Sequence, residues 1–196
     1  MLIFVRHVAT AHNDPDPTKE RTRGQLSLAP TLEGRQAAVD TGQRFRGIPL
    51  AEIYSSDRPA SLIVAHEIAS VTGAPLTVTP ALRSWHIGDL AGEPVSTSTP
   101  QIKAYMLDPT KRIPGGESWN DFLDRYLGFL RPQWHQPGYA ALVTHGRNIQ
   151  VARAWLTAGA QGSKLDDSVL DADYSKFVPH GGWVTAAGDR VLDGIL

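Results

Sequence analysis

The chain has 196 residues, 41% hydrophobic and 20% charged, a composition that suits one globular domain whose core needs no staples. It has no cysteine, which excludes disulfides, thiolate nucleophiles and cysteine-ligated zinc or iron–sulfur centres together. With 19 Lys+Arg against 20 Asp+Glu the formal charge is −1, so bulk electrostatics draws it to neither nucleic acid nor a membrane surface, and any anion site must be local.

Met1 to Val5 is continuous, β-branched and aromatic, and reads as a buried strand. It stops at Arg6-His7, far too short for a signal segment or a membrane span, and no other window approaches 18 apolar residues. A soluble cytoplasmic protein is expected. Residues 14–31 mix proline with both charges and read as a long surface loop, a kind of segment that is often functional. Thr31 to Arg46 reads as a helix with Leu32, Ala38, Val39 and Phe45 on its inner face.

Ala51–Ser55 reads as a second strand and Pro59–Val71 as a helix, with proline in its first turn and Gly73 as its stop. Leu76–Thr79 is a third short strand. About 84–117, glycine, proline, serine and threonine predominate, and the segment reads as a loop-rich insertion around one short helix at Gln101–Leu107. Ser118 and Asp121 fit a capping box. Behind them Trp119, Phe122, Leu123, Tyr126, Leu127 and Leu130 form the clearest amphipathic pattern in the chain. Tyr139–Thr144 is another buried strand, followed at once by His145-Gly146 and a helix to about Ala158. Two further strands are expected at Trp183–Ala186 and Arg190–Asp193, joined by a turn at 187–189. Nothing divides the chain, so 1–196 reads as a single domain.

Strands alternating with helices predict an α/β fold with a mostly parallel sheet, and such sheets bind ligands beyond the carboxyl ends of their strands. Three strand ends carry chemistry: Arg6-His7, Ser56-Asp57-Arg58 and His145-Gly146. Two histidines and two arginines without clustered carboxylates make a poor metal site. They suit a tetrahedral dianion, because guanidinium forks match phosphate oxygens and a neutral imidazole can attack phosphorus. No glycine-rich nucleotide loop occurs.

The ordered motifs resemble those of the histidine phosphatase superfamily. Arg6-His7-Val8-Ala9-Thr10-Ala-His-Asn13 is similar to its opening Arg-His-Gly-Glu-Thr-x-x-Asn motif. Arg21-Thr-Arg23-Gly24, Thr31-Leu-Glu-Gly34, Tyr54-Ser-Ser-Asp57, Leu82-Arg83, Pro114-Gly-Gly-Glu117-Ser118 and Val143-Thr-His145-Gly146 follow in the family's order. The resemblance implies a three-layer α/β/α, phosphoglycerate mutase-like fold. It also implies a phosphomonoester hydrolase with His7 as nucleophile, Arg6, Arg58 and His145 around the phosphoryl group, and Asn13, Arg23, Arg83 and Gly146 binding substrate. It implies no metal and no cofactor, and its partner is a small phosphorylated substrate rather than nucleic acid or membrane. Whether the chain forms a homodimer is left open by the sequence.

Four positions depart from the pattern. Val8 replaces a glycine and narrows the backbone options beside the nucleophile, and Ala9 replaces an acid or amide. Ala60 stands where the family has its second arginine, so Arg58 either reaches the phosphate from the loop or is a solvated helix start. Ser84 stands where the family has its proton-donating glutamate, and a hydroxyl cannot serve as a general acid near pH 7. His86, Asp57 and Glu117, with Asp89 beside them, are the candidate replacements. If none acts, a phosphate-binding module with little catalysis is the alternative, and a phosphoglycerate mutase is a third reading. The five tryptophans read as packing or pocket wall. His12, His66, His135 and His180 read as surface or supporting residues, while Arg147 and Asn148 have an open substrate-facing role.

Overall fold

In a computed structural model, which describes residues 1–161, 165, 178–187 and 190–192, the strands form one mixed sheet. The strands are β1 (Leu2–Arg6), β2 (Leu50–Ser55), β3 (Leu76–Val78), β4 (Tyr139–Thr144), β5 (Trp183–Ala187) and β6 (Arg190–Leu192). Their order is β3-β2-β4-β1-β5-β6. The first four are parallel, and β5 and β6 extend the sheet antiparallel. The turn expected at 187–189 and the end of the last strand at Asp193 reach beyond the described residues.

The helices are α1 (Leu32–Arg44), α2 (Pro59–Thr72), α3 (Val95–Leu107), α4 (Trp119–Trp134) and α5 (Gly146–Thr157). β1 is buried along its whole length because both faces of the sheet are covered. Leu2, Phe4 and Leu142 pack with Phe122, Tyr126 and Trp155 of α4 and α5. The alternate residues Ile3, Val5 and Val143 pack with Ala38, Val64 and Ile68 of α1 and α2. This is the expected three-layer α/β/α architecture. Among the described residues no helix is long and apolar enough to cross a membrane.

Local signals set several boundaries. The Thr31 side chain accepts from Gly34 N at 3.0 Å and starts α1. Ser118 and Asp121 form the reciprocal capping box of α4. Gly73, at φ +71°, ends α2.

Two expectations need correction. The inner face of α1 is only in part the one expected from apolar periodicity: Ala38 and Phe45 are buried as expected, but Leu32 is 79% exposed and Val39 is also exposed, and Gly34, Thr41 and Gly42 are buried in their place. The cause is close helix approach, since a Cβ at position 42 would lie 2.7 Å from the Glu67 Cβ on α2. The insertion holds a 13-residue helix rather than one confined to Gln101–Leu107. Pro100 and a run of Ser and Thr hide its pitch, although Ser98, Ile102 and Met106 mark a buried stripe.

Candidate active site

β4 lies between β1 and β2, so the chain's direction of strand addition reverses beside β1, the place where such sheets open a crevice. Arg6 pairs with Thr144, and His7 N donates to Thr144 O at 2.9 Å. His7 and His145 therefore leave neighbouring strands at the same height, with ring centroids 4.9 Å apart.

His7 is 6% exposed. Its Nδ1 lies 2.7 Å from the Val8 carbonyl oxygen, which can only accept, so Nδ1 carries the proton and Nε2 keeps its lone pair. Burial lowers the His7 pKa to about 3, with Arg6 and then Arg23 lowering it further and the Val8 hydrogen bond opposing. The ring is thus neutral at pH 7. Val8 fills the family's glycine position without a left-handed backbone, which is confined to Ala160 and glycines among the described residues. Its side chain is buried in the core beside α1.

The His145 Nε2 lies 3.0 Å from the hydroxyl of buried Ser56, at the end of β2. Burial holds this ring well below the usual imidazole range, reinforced by His7, Arg58, Arg6 and Arg125. Gly146 begins α5, so the positive end of that helix faces the same cleft. Arg6, buried to 8% exposure, donates from Nη1 to Val178 O at 2.7 Å. Arg6, His7, Arg23, His145, Gly146 and Arg147 share the cleft.

The remaining expected residues are placed elsewhere. Asp57 accepts from Arg83 Nε at 2.7 Å and from Arg58 Nε at 3.3 Å, and Arg58 Nη1 also donates to Gln25 O at 2.9 Å. Arg58 and Arg83 are therefore tied to one carboxylate outside the cleft lining, although Arg58 is near enough to depress His145. The Arg83 hydrogen bonds hold Asp57 far below the usual carboxylate range against a smaller opposing burial effect, so it remains ionised and has no proton to give. Asn13 turns its Oδ1 back to Thr10 N at 2.9 Å and caps its own loop. Glu117 pairs with Arg125 at 2.6 Å and accepts from His86 N at 2.9 Å, while His86 Nδ1 accepts from Gly88 N. None of Asp57, His86, Asp89 and Glu117 lines the cleft, whereas Ser84 does. Ala60, at the family's second-arginine position, is buried in the core.

Three features escape the sequence reading. Glu20 lines the cleft and pairs with Arg23 at 3.0 Å. Residues 20–22 are stitched to the start of the insertion, with Val95 N donating to Glu20 O at 3.1 Å and Thr22 N to Glu93 O at 2.9 Å. That pairing brings Val95 and Ile102 of α3 to the cleft wall beside Trp85 and Ile87. His180, read as a surface or supporting residue, packs against His7 with centroids 5.5 Å apart. Only the i,i+3 spacing of Glu20 and Arg23 gave a hint, and nothing local distinguishes His180. Arg147 faces the cleft, but Asn148 does not: its Nδ2 donates to Arg83 O at 3.1 Å and holds the 82–84 loop. Among the described residues no group of three or more His, Asp or Glu side chains is placed to hold a metal ion.

The family model described as "Histidine phosphatase superfamily (branch 1)" matches residues 2–182. A protein of Salmonella choleraesuis named "probable phosphoglycerate mutase GpmB" is 29% identical, over 96% of this chain and 92% of that one. A mycobacterial glucosyl-3-phosphoglycerate phosphatase, solved with VO3, is 25% identical with a TM-score of 0.69, covering 93% of this chain and 90% of the other. The alpha-ribazole phosphatase of Shigella flexneri, at 18% identity, 97% and 93% coverage and a TM-score of 0.73, shares the fold.

Proposed function

This chain belongs to the histidine phosphatase superfamily (branch 1), and from that premise we propose that it hydrolyses phosphomonoesters through a phosphohistidine on His7. The observation that carries the reading is the His7 tautomer. Nδ1 is committed to Val8 O, and Nε2 belongs to a neutral ring in a cleft with Arg6, His145 and Arg147. Attack by the Nε2 lone pair forms the P–N bond as the ester P–O bond breaks. Arginine donors hold the phosphoryl oxygens as charge spreads over them, which is where catalysis of this reaction resides. Neutral His145 keeps one ring N–H and shares the cleft with Arg6 and Arg147 around the phosphoryl group. Water then attacks phosphorus, the P–N pair returns to His7, and orthophosphate leaves.

The organic part of the ester rests against Trp85, Ile87, Val95 and Ile102, a wall suited to an apolar moiety. The likeness to a mycobacterial phosphatase supports hydrolysis, and the likeness to a probable mutase keeps a phosphoglycerate within reach. No metal and no cofactor takes part in this scheme.

The test is incubation with p-nitrophenyl phosphate followed by an alkaline denaturing quench and a search for acid-labile phosphate on His7. Release of nitrophenol with a trapped adduct supports the reading, and neither at any pH from 4 to 9 sinks it. Ser84, a hydroxyl where the family has its acid, favours a second reading, a phosphate-binding module without turnover. That reading expects phosphate to raise Tm while hydrolysis stays at background.

A further inference from the structure

We infer that Glu20 is the proton donor to the leaving oxygen, a reading that rests on hydrolysis through His7. The argument is by the chemistry of the cleft wall. Its imidazoles, His7 and His145, are held neutral by burial and carry no excess proton at working pH. Its guanidiniums, on Arg6, Arg23 and Arg147, do not release theirs. Its hydroxyls, on Thr22 and Ser84, are too weakly acidic. The carboxyl groups that the motifs suggest lie outside the cleft lining, Asp57 beside Arg58 and Arg83, Glu117 beside Arg125 and the His86 amide. Among the described cleft-lining residues, Glu20 is the carboxyl group.

Its position is fixed rather than incidental. The Glu20 amide donates to Asp16 O at 3.2 Å, and its carbonyl accepts from Val95 N. Its side chain holds Arg23, whose charge reaches far enough to lower both His7 and His180. Glu20 is thus one hydrogen bond from a cation that feels the nucleophile. It stands on the loop wall, whereas His7 stands on the sheet edge. An in-line displacement puts the leaving oxygen on the side of phosphorus away from His7.

The free cleft keeps Glu20 paired with Arg23. A phosphate dianion competes for that guanidinium, and the carboxyl released from Arg23 takes a proton from solvent as the ester binds. As the P–O bond breaks, its electron pair stays on the ester oxygen and takes the Glu20 proton, giving the neutral alcohol. In the second step the Glu20 carboxylate takes a proton from the attacking water while the P–N pair returns to Nε2. Donor and acceptor roles are then restored.

The test compares E20Q with wild type on two esters, β-glycerophosphate, whose alkoxide must be protonated, and p-nitrophenyl phosphate, whose phenolate leaves unaided. Loss of a general acid costs about 10²–10⁴-fold. The single-turnover rate of phosphohistidine formation, which leaves out the hydrolysis step shared by both esters, is expected to fall by about 10²-fold or more with the alkyl ester, and by at least tenfold less with the aryl ester. Rapid-quench trapping is expected to show phosphohistidine from the aryl ester in E20Q. A second variant, E20Q with S84E, places a carboxyl back on the cleft wall and is expected to recover part of the alkyl activity. Equal losses on both esters, or no loss on the alkyl ester, overturn the assignment, since a folding or binding role would not discriminate leaving groups. If E20Q melts well below wild type, E20D decides: selective loss on the alkyl ester supports the donor role, and parallel loss overturns it. Failure of wild type to hydrolyse either ester or form an adduct overturns the hydrolase reading itself, a result distinct from the others.

Discussion

The imidazole of His180 packs on that of His7 at a centroid distance of 5.5 Å and an interplanar angle of 57°, held there because Arg6 exchanges backbone hydrogen bonds with Gly181 and Gly182. His145 also packs on His7, at 4.9 Å, so His7 links a row of three rings in contact. Burial, then Arg6, His7 and Arg23, lowers His180 to about 2, so a proton on any ring in the row meets both dry surroundings and a neighbouring cation.

That row makes stability depend on pH. The unfolded chain protonates these histidines near pH 6.5, while the folded chain refuses the proton on His7 until about pH 3. Between those values the unfolded state binds more protons, so stability falls as the pH falls. For buried His7 the loss at pH 5 is about 2 kcal/mol, with His145 in the same direction and partly exposed His180 adding less. Below about pH 4 the unfolded chain also protonates the Asp57 carboxyl, while in the folded chain Arg83 and Arg58 still hold it ionised, so that contribution to stability is lost too. Urea titrations at pH 7, 6 and 5 should show a falling midpoint, with a shallower decline in His180→Asn. A flat midpoint across that range would contradict the burial of the row.

Arg6 and Arg58 should separate in kinetics. Arg6 lines the cleft and is anchored by Val178 O, while Arg58 is spent on Asp57 and Gln25. Arg6→Ala is expected to lower kcat/KM by more than about 10²-fold, the scale of losing a transition-state charge partner. Arg58→Ala should cost less than about tenfold. Steady-state assays with an aryl phosphate check both, and equal losses would mean that Arg58 turns to the phosphate when substrate binds.

Gly42→Ala tests the helix contact. In an exposed helix this change stabilises by about 1 kcal/mol. Here the new methyl would lie 2.7 Å from the Glu67 Cβ and 2.9 Å from its backbone, so α1 must move off α2. A loss of about 1–3 kcal/mol is expected, read from the shift in denaturation midpoint. A gain would show that the two helices separate freely.

Asn148 is an indirect support. It is fully buried and its amide holds the 82–84 loop through the Arg83 carbonyl, while the Thr144 hydroxyl donates to Leu82 O at 2.8 Å. Asn148→Ala should cost about 1 kcal/mol, the net worth of one hydrogen bond, because the Arg83 carbonyl keeps Arg125 and the Leu82 carbonyl keeps Thr144 as donors. Its KM should change more than its phosphohistidine yield, because Ser84 and Trp85 on that loop form the wall for the ester. Equilibrium denaturation and trapping with aryl phosphate measure the two effects.

What could be read from the chain follows its local chemistry. β1 and β4 were legible because a strand buried on both faces has no polar interruption, and α4 because its cap and its stripe agree. The two histidines were legible because each follows such a strand directly. Arg58 and Glu117 were legible as charged residues near motif positions, but sequence does not show which charge a neighbour has already taken. Glu20 stayed hidden for the opposite reason. It lies in a loop whose route to the cleft depends on pairing with residues more than 70 positions later. α3 was half hidden because Pro100 and hydroxyl side chains mimic a turn.

The pairing of residues 20–22 with 92–95 bears on how this cleft can be redesigned. The two segments that carry Glu20 and the start of the apolar wall lean on each other through backbone hydrogen bonds, not on the sheet that carries His7. A relative's specificity could not be transplanted by exchanging one of them, since the graft would meet a stranger across the Thr22–Glu93 seam. They form a cassette, to be swapped as a pair.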